Sequence, residues 1–385
     1  MVQIITAYTE EVDEIEDGIA EILGQINLKS LKKNSVGLVT CHSDFTNSAF
    51  IGELQKKLPF DIIGMTTMAS ANQHGKGMFS LSLTVLTSNE VEFETAMASS
   101  LDAGSYREKI KTAYSQAEKK LPGKPAMIFT FFPFLQELSG TQLHKSFDEI
   151  CGGIPFWGSL ACSPDVQTGH WFVFRNGEID GKGLAMILVH GKIDPEFIVI
   201  SMPPENIRKS RGRITESDGC CLKAIDGIPA LKYLENIGIS IQKEVPVVLP
   251  LMVYYEGSAE PVALGVYTIN DDESLKCGGE MPVGATIAVG DITVEGTLAS
   301  TAECIERIKK TNKRGGALFL PCITRYIMLT PIHDREMSLV MEKMENGRLM
   351  PFSMAYSGGE ICPVKDRIGV LQNRFHNFTL IACVF

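Results

Sequence analysis

From residue 3 to residue 151, apolar runs of strand length alternate with amphipathic helical stretches. Alternation of this kind restricts a chain to layered α/β arrangements, because each sheet face must be covered by a helix. Gln3 to Thr9 reads as a strand. Glu10 to Ile26 carries helical apolar spacing at Val12, Ile15, Ile19, Ile22 and Leu23, with acids crowding its first turn. Strands are predicted over 35–40, 61–66 and 126–132, and helices over 47–58, 102–121 and 141–151. After Pro155 strands dominate, with hairpin punctuation at Asn176-Gly177 and Asp180-Gly181. Further strands are expected over 245–255 and 262–268, and helices over 300–310 and 333–345. The apolar stretch 317–330 reads as strand. The fold class is α/β (α+β): two layered domains with mixed β-sheets flanked by helices.

At 385 residues the length suits two domains. The best boundary is the stretch 201–213, which holds Pro203-Pro204 and a short basic cluster, so the domains are placed at 1–205 and 206–385. The net charge of -10 argues against nucleic-acid binding, which needs a basic face. No stretch reaches the ~20 apolar residues of a membrane helix, and no basic, cleavable leader opens the chain. A cytoplasmic location is the expectation. The ten cysteines are scattered, form no C-x-x-C or zinc spacing, and read as free thiols.

Two polar clusters interrupt the apolar C-terminal stretch: Tyr356-Ser357-Gly358-Gly359-Glu360 and Phe375-His376-Asn377-Phe378-Thr379. A buried Glu or His is costly unless paired or hydrogen-bonded, so these residues form either an internal network or the floor of a site. Arg325 follows a buried strand, where a guanidinium can take a carboxylate or phosphate in bidentate fashion, or pair with an internal acid such as Glu336 or Glu360. Thr66 and Thr67 close another strand, the usual place for ligand contacts in α/β sheets. A weak echo links Asp61 to Thr67 with Met354 to Gly358, since each puts hydroxyls at the end of a buried strand. Walker A, G-x-G-x-x-G, H-E-x-x-H, G-x-S-x-G and EF-hand patterns are absent, so the chain advertises no nucleotide, zinc-protease or serine-hydrolase chemistry.

At these residues the chain resembles the FIST family of sensory modules, built from an N-terminal and a C-terminal domain. The C-terminal match runs through Gly227-x-Pro229-Ala230, Cys322-x-x-Arg325, the Glu336 helix, Pro351-Phe352, Tyr356-Ser357-x-Gly359-Glu360-Ile361 and Phe375-His376-Asn377-x-Thr379. In the N-terminal half it rests on Ile63-Gly64-x-Thr66-Thr67, Pro155-x-x-Gly158-x-Leu160-Ala161 and Val173 to Gly177. One departure stands out: where the family continues with Ala-Gly-Glu after the paired threonines, this chain has Met68-Ala69-Ser70 and lacks the carboxylate.

The resemblance implies a stand-alone sensor that binds a small ligand, with amino acids proposed, and signals through a separate protein such as a histidine kinase or a cyclase. A second copy of the chain, as a homodimer, is a further candidate partner; nucleic acid and membrane are not. The expected ligand-binding residues are Arg325 for an anionic group, Glu360 for a cationic one, and Tyr356, Ser357, His376, Asn377, Thr66 and Thr67. Some stand-alone members of the family are haem proteins that sense nitric oxide. That alternative would need a non-covalent haem with His376 or His170 as axial ligand. A third alternative is a cysteine-dependent enzyme, with Cys322 or Cys162 as nucleophile and His376 as base. No catalytic signature accompanies it, so no enzyme activity is expected.

Overall fold

A computed structural model describes residues 2–47, 49–135, 137–164, 169–243, 248–257 and 260–385. Its organising principle is a unit that occurs three times. The first unit runs β1 (Gln3–Thr9), α1 (Ile15–Gly24), β2 (Asn34–Cys41), α2 (Asp44–Asn47), α3 (Phe50–Lys57), β3 (Ile62–Thr66), a hairpin of β4 (Ser70–Asn72) and β5 (Gly75–Gly77), and β6 (Leu81–Ser88). The second runs β7 (Val91–Ala98), α4 (Tyr106–Glu118), β8 (Met127–Phe132), α5 (Gly140–Cys151), β9 (Phe156–Leu160), the hairpin β10 (Val173–Arg175) and β11 (Glu178–Asp180), and β12 (Leu184–Gly191).

The third unit opens with β13 (Glu196–Ile200), is interrupted by an inserted barrel, and resumes at α7 (Val294–Lys310). It continues with β21 (Ala317–Pro321), α8 (Ile323–Met328), α9 (Arg335–Lys343), β22 (Phe352–Ala355), the hairpin β23 (Glu360–Lys365) and β24 (Leu371–His376), and β25 (Leu380–Val384). The barrel comprises β14 (Gly212–Asp218), β15 (Cys221–Ile225), β16 (Ile228–Pro229), α6 (Ala230–Asn236), β17 (Leu249–Tyr254), β18 (Val262–Ile269), β19 (Leu275–Cys277) and β20 (Thr286–Val289).

Three six-stranded sheets share one pattern. Their orders are β1-β6-β2-β3-β10-β11, β7-β12-β8-β9-β23-β24 and β13-β25-β21-β22-β4-β5. In each, only the third and fourth strands are parallel, and every other pair is antiparallel. The hairpin of each unit does not complete its own sheet. It passes to a neighbour, from the first unit to the third, the second to the first, and the third to the second. The sequence echo between 61–67 and 354–358 is therefore structural: β3 and β22 hold equivalent places, and β9 holds the third.

The inner faces of the three sheets share one apolar core, with Leu38 and Met65 from the first, Phe129 and Trp157 from the second, and Leu318 and Ile381 from the third. Helices cover the outer faces, α1 and α3 on the first sheet and α7 and α9 on the third. The fourth sheet closes on itself, because β14 pairs with β15 as well as with β20, giving a six-stranded antiparallel barrel with β16 at its flank. The expected boundary at 205/206 falls in the connection from β13 to this barrel, and strands from both sides of it share two of the sheets. Among the described residues no helix is long and apolar enough to cross a membrane.

One expected element is corrected. The apolar stretch 317–330 is a strand only as far as Pro321 and then a short helix, Ile323–Met328. An apolar run cannot report its own period, and the strand ends where Pro321 closes its pairing with β25.

Candidate functional site

The ends of the central parallel strands meet in equivalent positions. The Thr66, Leu160 and Tyr356 amides donate to the Phe172, Gly359 and Ala69 carbonyls at 2.9, 2.9 and 3.1 Å, each from a strand end to a hairpin segment. The Thr67 hydroxyl donates to the Tyr356 carbonyl at 2.7 Å, and the Thr66 hydroxyl accepts from the Phe172 amide at 3.0 Å. The structure thus brings Thr67 and Tyr356 together from opposite ends of the chain, both fully buried.

Tyr356 leads into a buried ionic network. Its hydroxyl donates to Glu336 Oε2 at 2.9 Å, and Arg325 reaches Glu336 Oε1 through Nη2 at 2.6 Å and Nε at 3.0 Å. The pair is 3% and 0% exposed. Helix α7 supplies the other partners: Thr301 donates to Glu336 Oε1 at 2.6 Å, and the Thr297 carbonyl and Ser300 hydroxyl accept from Arg325 Nη2 at 2.9 and 3.1 Å. Burial works against the Arg325 charge, but the Glu336 carboxylate outweighs it and raises the guanidinium above its ordinary value. Burial, and then Glu336, hold the Tyr356 phenol well above its usual range. The polar positions of α7 escaped the sequence reading, which began that helix at Ser300. Their signal is Thr297, Ser300 and Thr301, spaced three and four apart on one helix face.

Glu360 belongs to a separate network. It accepts from the Ser357 hydroxyl at 2.7 Å and the Thr379 hydroxyl at 2.6 Å, and no cation answers it among the described residues. Burial pushes its carboxyl up to about 7, against the opposing pull of the Ser357 and Thr379 hydrogen bonds. His376 directs Nε2 at the Cys362 carbonyl, 3.3 Å away, while Nδ1 is buried without a partner among the described residues; burial lowers its imidazole to about 4. Asn377 ties the barrel to the body, accepting from the Gly265 amide at 3.2 Å while its own amide donates to the Ala263 carbonyl at 2.8 Å. Arg325 and Glu360 therefore engage different partners. Burial raises the thiols of Cys322 and Cys162, the latter to about 12, so both are held as neutral thiols.

The Arg325 network borders a cleft between barrel and body. Asn206, Asp291, Thr293, Gly296, Thr297 and Arg325 are among its lining residues. It holds about 300 Å³ of empty space to its mouth, of which about 10 Å³ admits the centre of a water molecule. Thr293 caps α7 by accepting from the Gly296 amide at 2.9 Å, so the positive end of a 17-residue helix dipole faces this cleft. Among the described residues Arg325 Nη1 has only the Ser201 carbonyl, at 3.5 Å.

A haem does not fit the histidines proposed for it. His376 carries an orphaned ring nitrogen, but neither this cleft nor the second cavity, at the centre of the three sheets, touches it. His170 is exposed and stacks on Phe172.

With this architecture in view, the comparisons with known proteins identify a sensory class of protein. Residues 35–228 match the FIST N domain and residues 230–363 the FIST C domain. The chain belongs to the FIST family, whose domains are small-ligand-binding sensor domains of signalling proteins. The two matched segments adjoin inside the barrel, at β16. No curated protein matches. Among solved structures, the crystal structure of a cyanuric acid hydrolase from A. caulinodans is similar at 9% identity over 50% of this chain and 72% of that chain, with a TM-score of 0.25, a level that carries no argument about function.

Proposed function

We propose that this FIST protein is a cytoplasmic sensor of an amino acid or a similar small zwitterion, bound in the cleft between barrel and body. The observation that carries the reading is Arg325: it lines the cleft beside the N-terminus of α7, its guanidinium is locked on one side by Glu336, and Nη1 makes only a long contact, 3.5 Å, to the Ser201 carbonyl among the described residues. A ligand carboxylate there gains a charge-assisted hydrogen bond and the favourable end of the helix dipole. Asp291 and Asn206 line the same cleft and supply acceptors for an ammonium group, the part that sequence reasoning had given to Glu360. The enclosed space is about one water in size, so binding requires the barrel to part from α7. That movement is the signal, and we assign its reading to a separate protein such as a histidine kinase or a cyclase.

The test is thermal stabilisation of the purified chain by each of the common amino acids. Asp291→Asn and Asn206→Ala serve as variants, because they alter the cleft and leave the buried Arg325–Glu336 pair intact. The expected result is a rise in melting temperature for at least one amino acid, reduced in both variants. No rise with any of them removes the reading.

A further inference from the structure

A second cavity lies at the centre of the molecule, where the inner faces of all three sheets converge. Thr40 and Thr84 line it from the first sheet, Phe131 and Trp157 from the second, Leu318 and Ser353 from the third. Four of these six carry a hydroxyl or an indole N–H, although the space lies within the apolar core that the three sheets share. Two of those polar atoms, Thr40 Oγ1 and Trp157 Nε1, are buried without a hydrogen-bond partner among the described residues, as is Thr6 Oγ1 one strand away, where Thr6 is registered opposite Thr84. Thr40 and Trp157 are 7% and 2% exposed.

Buried polar atoms are almost always satisfied, by protein or by water. Two such atoms lining one cavity, with a third on the neighbouring strand, call for an occupant. Its chemistry follows from the lining. Trp157 Nε1 only donates, so the occupant must accept; the threonine and serine hydroxyls can do either. No charged side chain lines the space, which excludes an ion. The room for water centres is about 20 Å³, and one buried water needs roughly 10–15 Å³. We propose that this cavity is an internal hydration site. One or two ordered waters accept from Trp157 Nε1 and link it to Thr40 Oγ1, with the Thr84 and Ser353 hydroxyls completing their coordination. The site joins the three sheets at their common centre, independently of the Arg325 cleft.

The near-isosteric substitution Thr40→Val decides by its sign. In a hydrated site it strips a water of a partner, and the folding equilibrium constant falls roughly fivefold. In a dry site it removes an unsatisfied hydroxyl, and the variant is as stable as the parent or more so, which overturns the proposal. A second measurement covers the case in which the variant fails to fold. The chain has 2 tryptophans, so its two indole N–H resonances are assigned with Trp171→Phe. The Trp157 resonance of the full-length protein should then show magnetisation transfer from a long-lived water. Absence of that transfer, together with uptake of xenon at the cavity, overturns the inference, since xenon enters dry apolar space.

Discussion

Replacing Arg325 by alanine removes the positive member of a pair whose carboxylate, Glu336, is wholly shielded from water. The Thr301 and Tyr356 hydroxyls would still donate to that carboxylate, but no cation would face it. Breaking a buried ion pair by deleting one partner costs about 3–5 kcal/mol, most of it from the stranded charge. A domain's whole stability is about 5–15 kcal/mol, so the variant should unfold far earlier in urea, followed by far-UV circular dichroism. Arg325→Met combined with Glu336→Met removes both charges, and should recover at least about 2 kcal/mol relative to the sum of the single replacements. Tyr356→Phe deletes one donor to a charged acceptor and should cost about 1.5–3 kcal/mol. A loss below about 1 kcal/mol for Arg325→Ala, or strict additivity in the double variant, would refute the view that this network holds α7, α8 and α9 together.

Two further outcomes follow from other parts of the fold. Glu360 has a folded-state carboxyl near 7 against an ordinary 4.5, so between those values the folded chain keeps a proton that the unfolded chain has released, and stability falls as pH rises. His144 and His376, lowered by burial to about 3 and about 4, act in the opposite sense, losing stability as pH falls below 6.5; the difference between parent and Glu360→Gln isolates the carboxyl. That difference should shift in favour of Glu360→Gln by about 3 kcal/mol from pH 4 to pH 8, and a flat difference in denaturation midpoints would contradict the assignment. Gly158→Ala places a Cβ 1.7 Å from the Thr130 carbonyl oxygen of the adjacent parallel strand. The expected loss exceeds about 4 kcal/mol, and a melting temperature within a few degrees of the parent would show that β8 and β9 part easily.

The sequence told more about elements than about their assembly. Gln3 to Thr9 is a strand as read, but the helix expected from Glu10 begins only at Ile15, because the Glu11 carboxylate accepts from the Asp13 and Glu14 amides and holds that stretch in a turn. The helix expected from Asp102 starts at Tyr106 for the same reason, with Asp102 accepting from the Gly104 and Ser105 amides. Short acidic side chains compete locally for backbone donors, and helical periodicity does not register that competition.

At the candidate site, the residue types in the two C-terminal clusters pointed to either an internal network or the floor of a site, and the structure places Tyr356, Ser357, Glu360 and Thr379 in buried hydrogen-bond networks. What stayed illegible was which acid each would meet, because Arg325 and Glu336 are brought together by packing on α7. The internal repeat was half visible: hydroxyls mark the strand ends at Thr66-Thr67 and Tyr356-Ser357, whereas the third copy, Leu160-Ala161-Cys162, carries none. The barrel–body cleft has no signature in the chain at all, since Asn206, Asp291 and Arg325 are drawn from three distant segments.

The passing of each hairpin to a neighbouring sheet has a consequence for how this protein is made on the ribosome. The hairpin β4–β5 is synthesised early, yet the strand it pairs with is β22, and the Phe352 amide meets the Gln73 side chain across 279 positions of chain. The second sheet likewise waits for β23, and the third cannot close until β25 (Leu380–Val384) slides between β13 and β21. A nascent chain can therefore finish its first sheet but must hold two others open, with their edges unpaired, until β23 and β25 have been made. Exposed strand edges are templates for wrong pairing, so the architecture exchanges early, piecemeal folding for a single late closure.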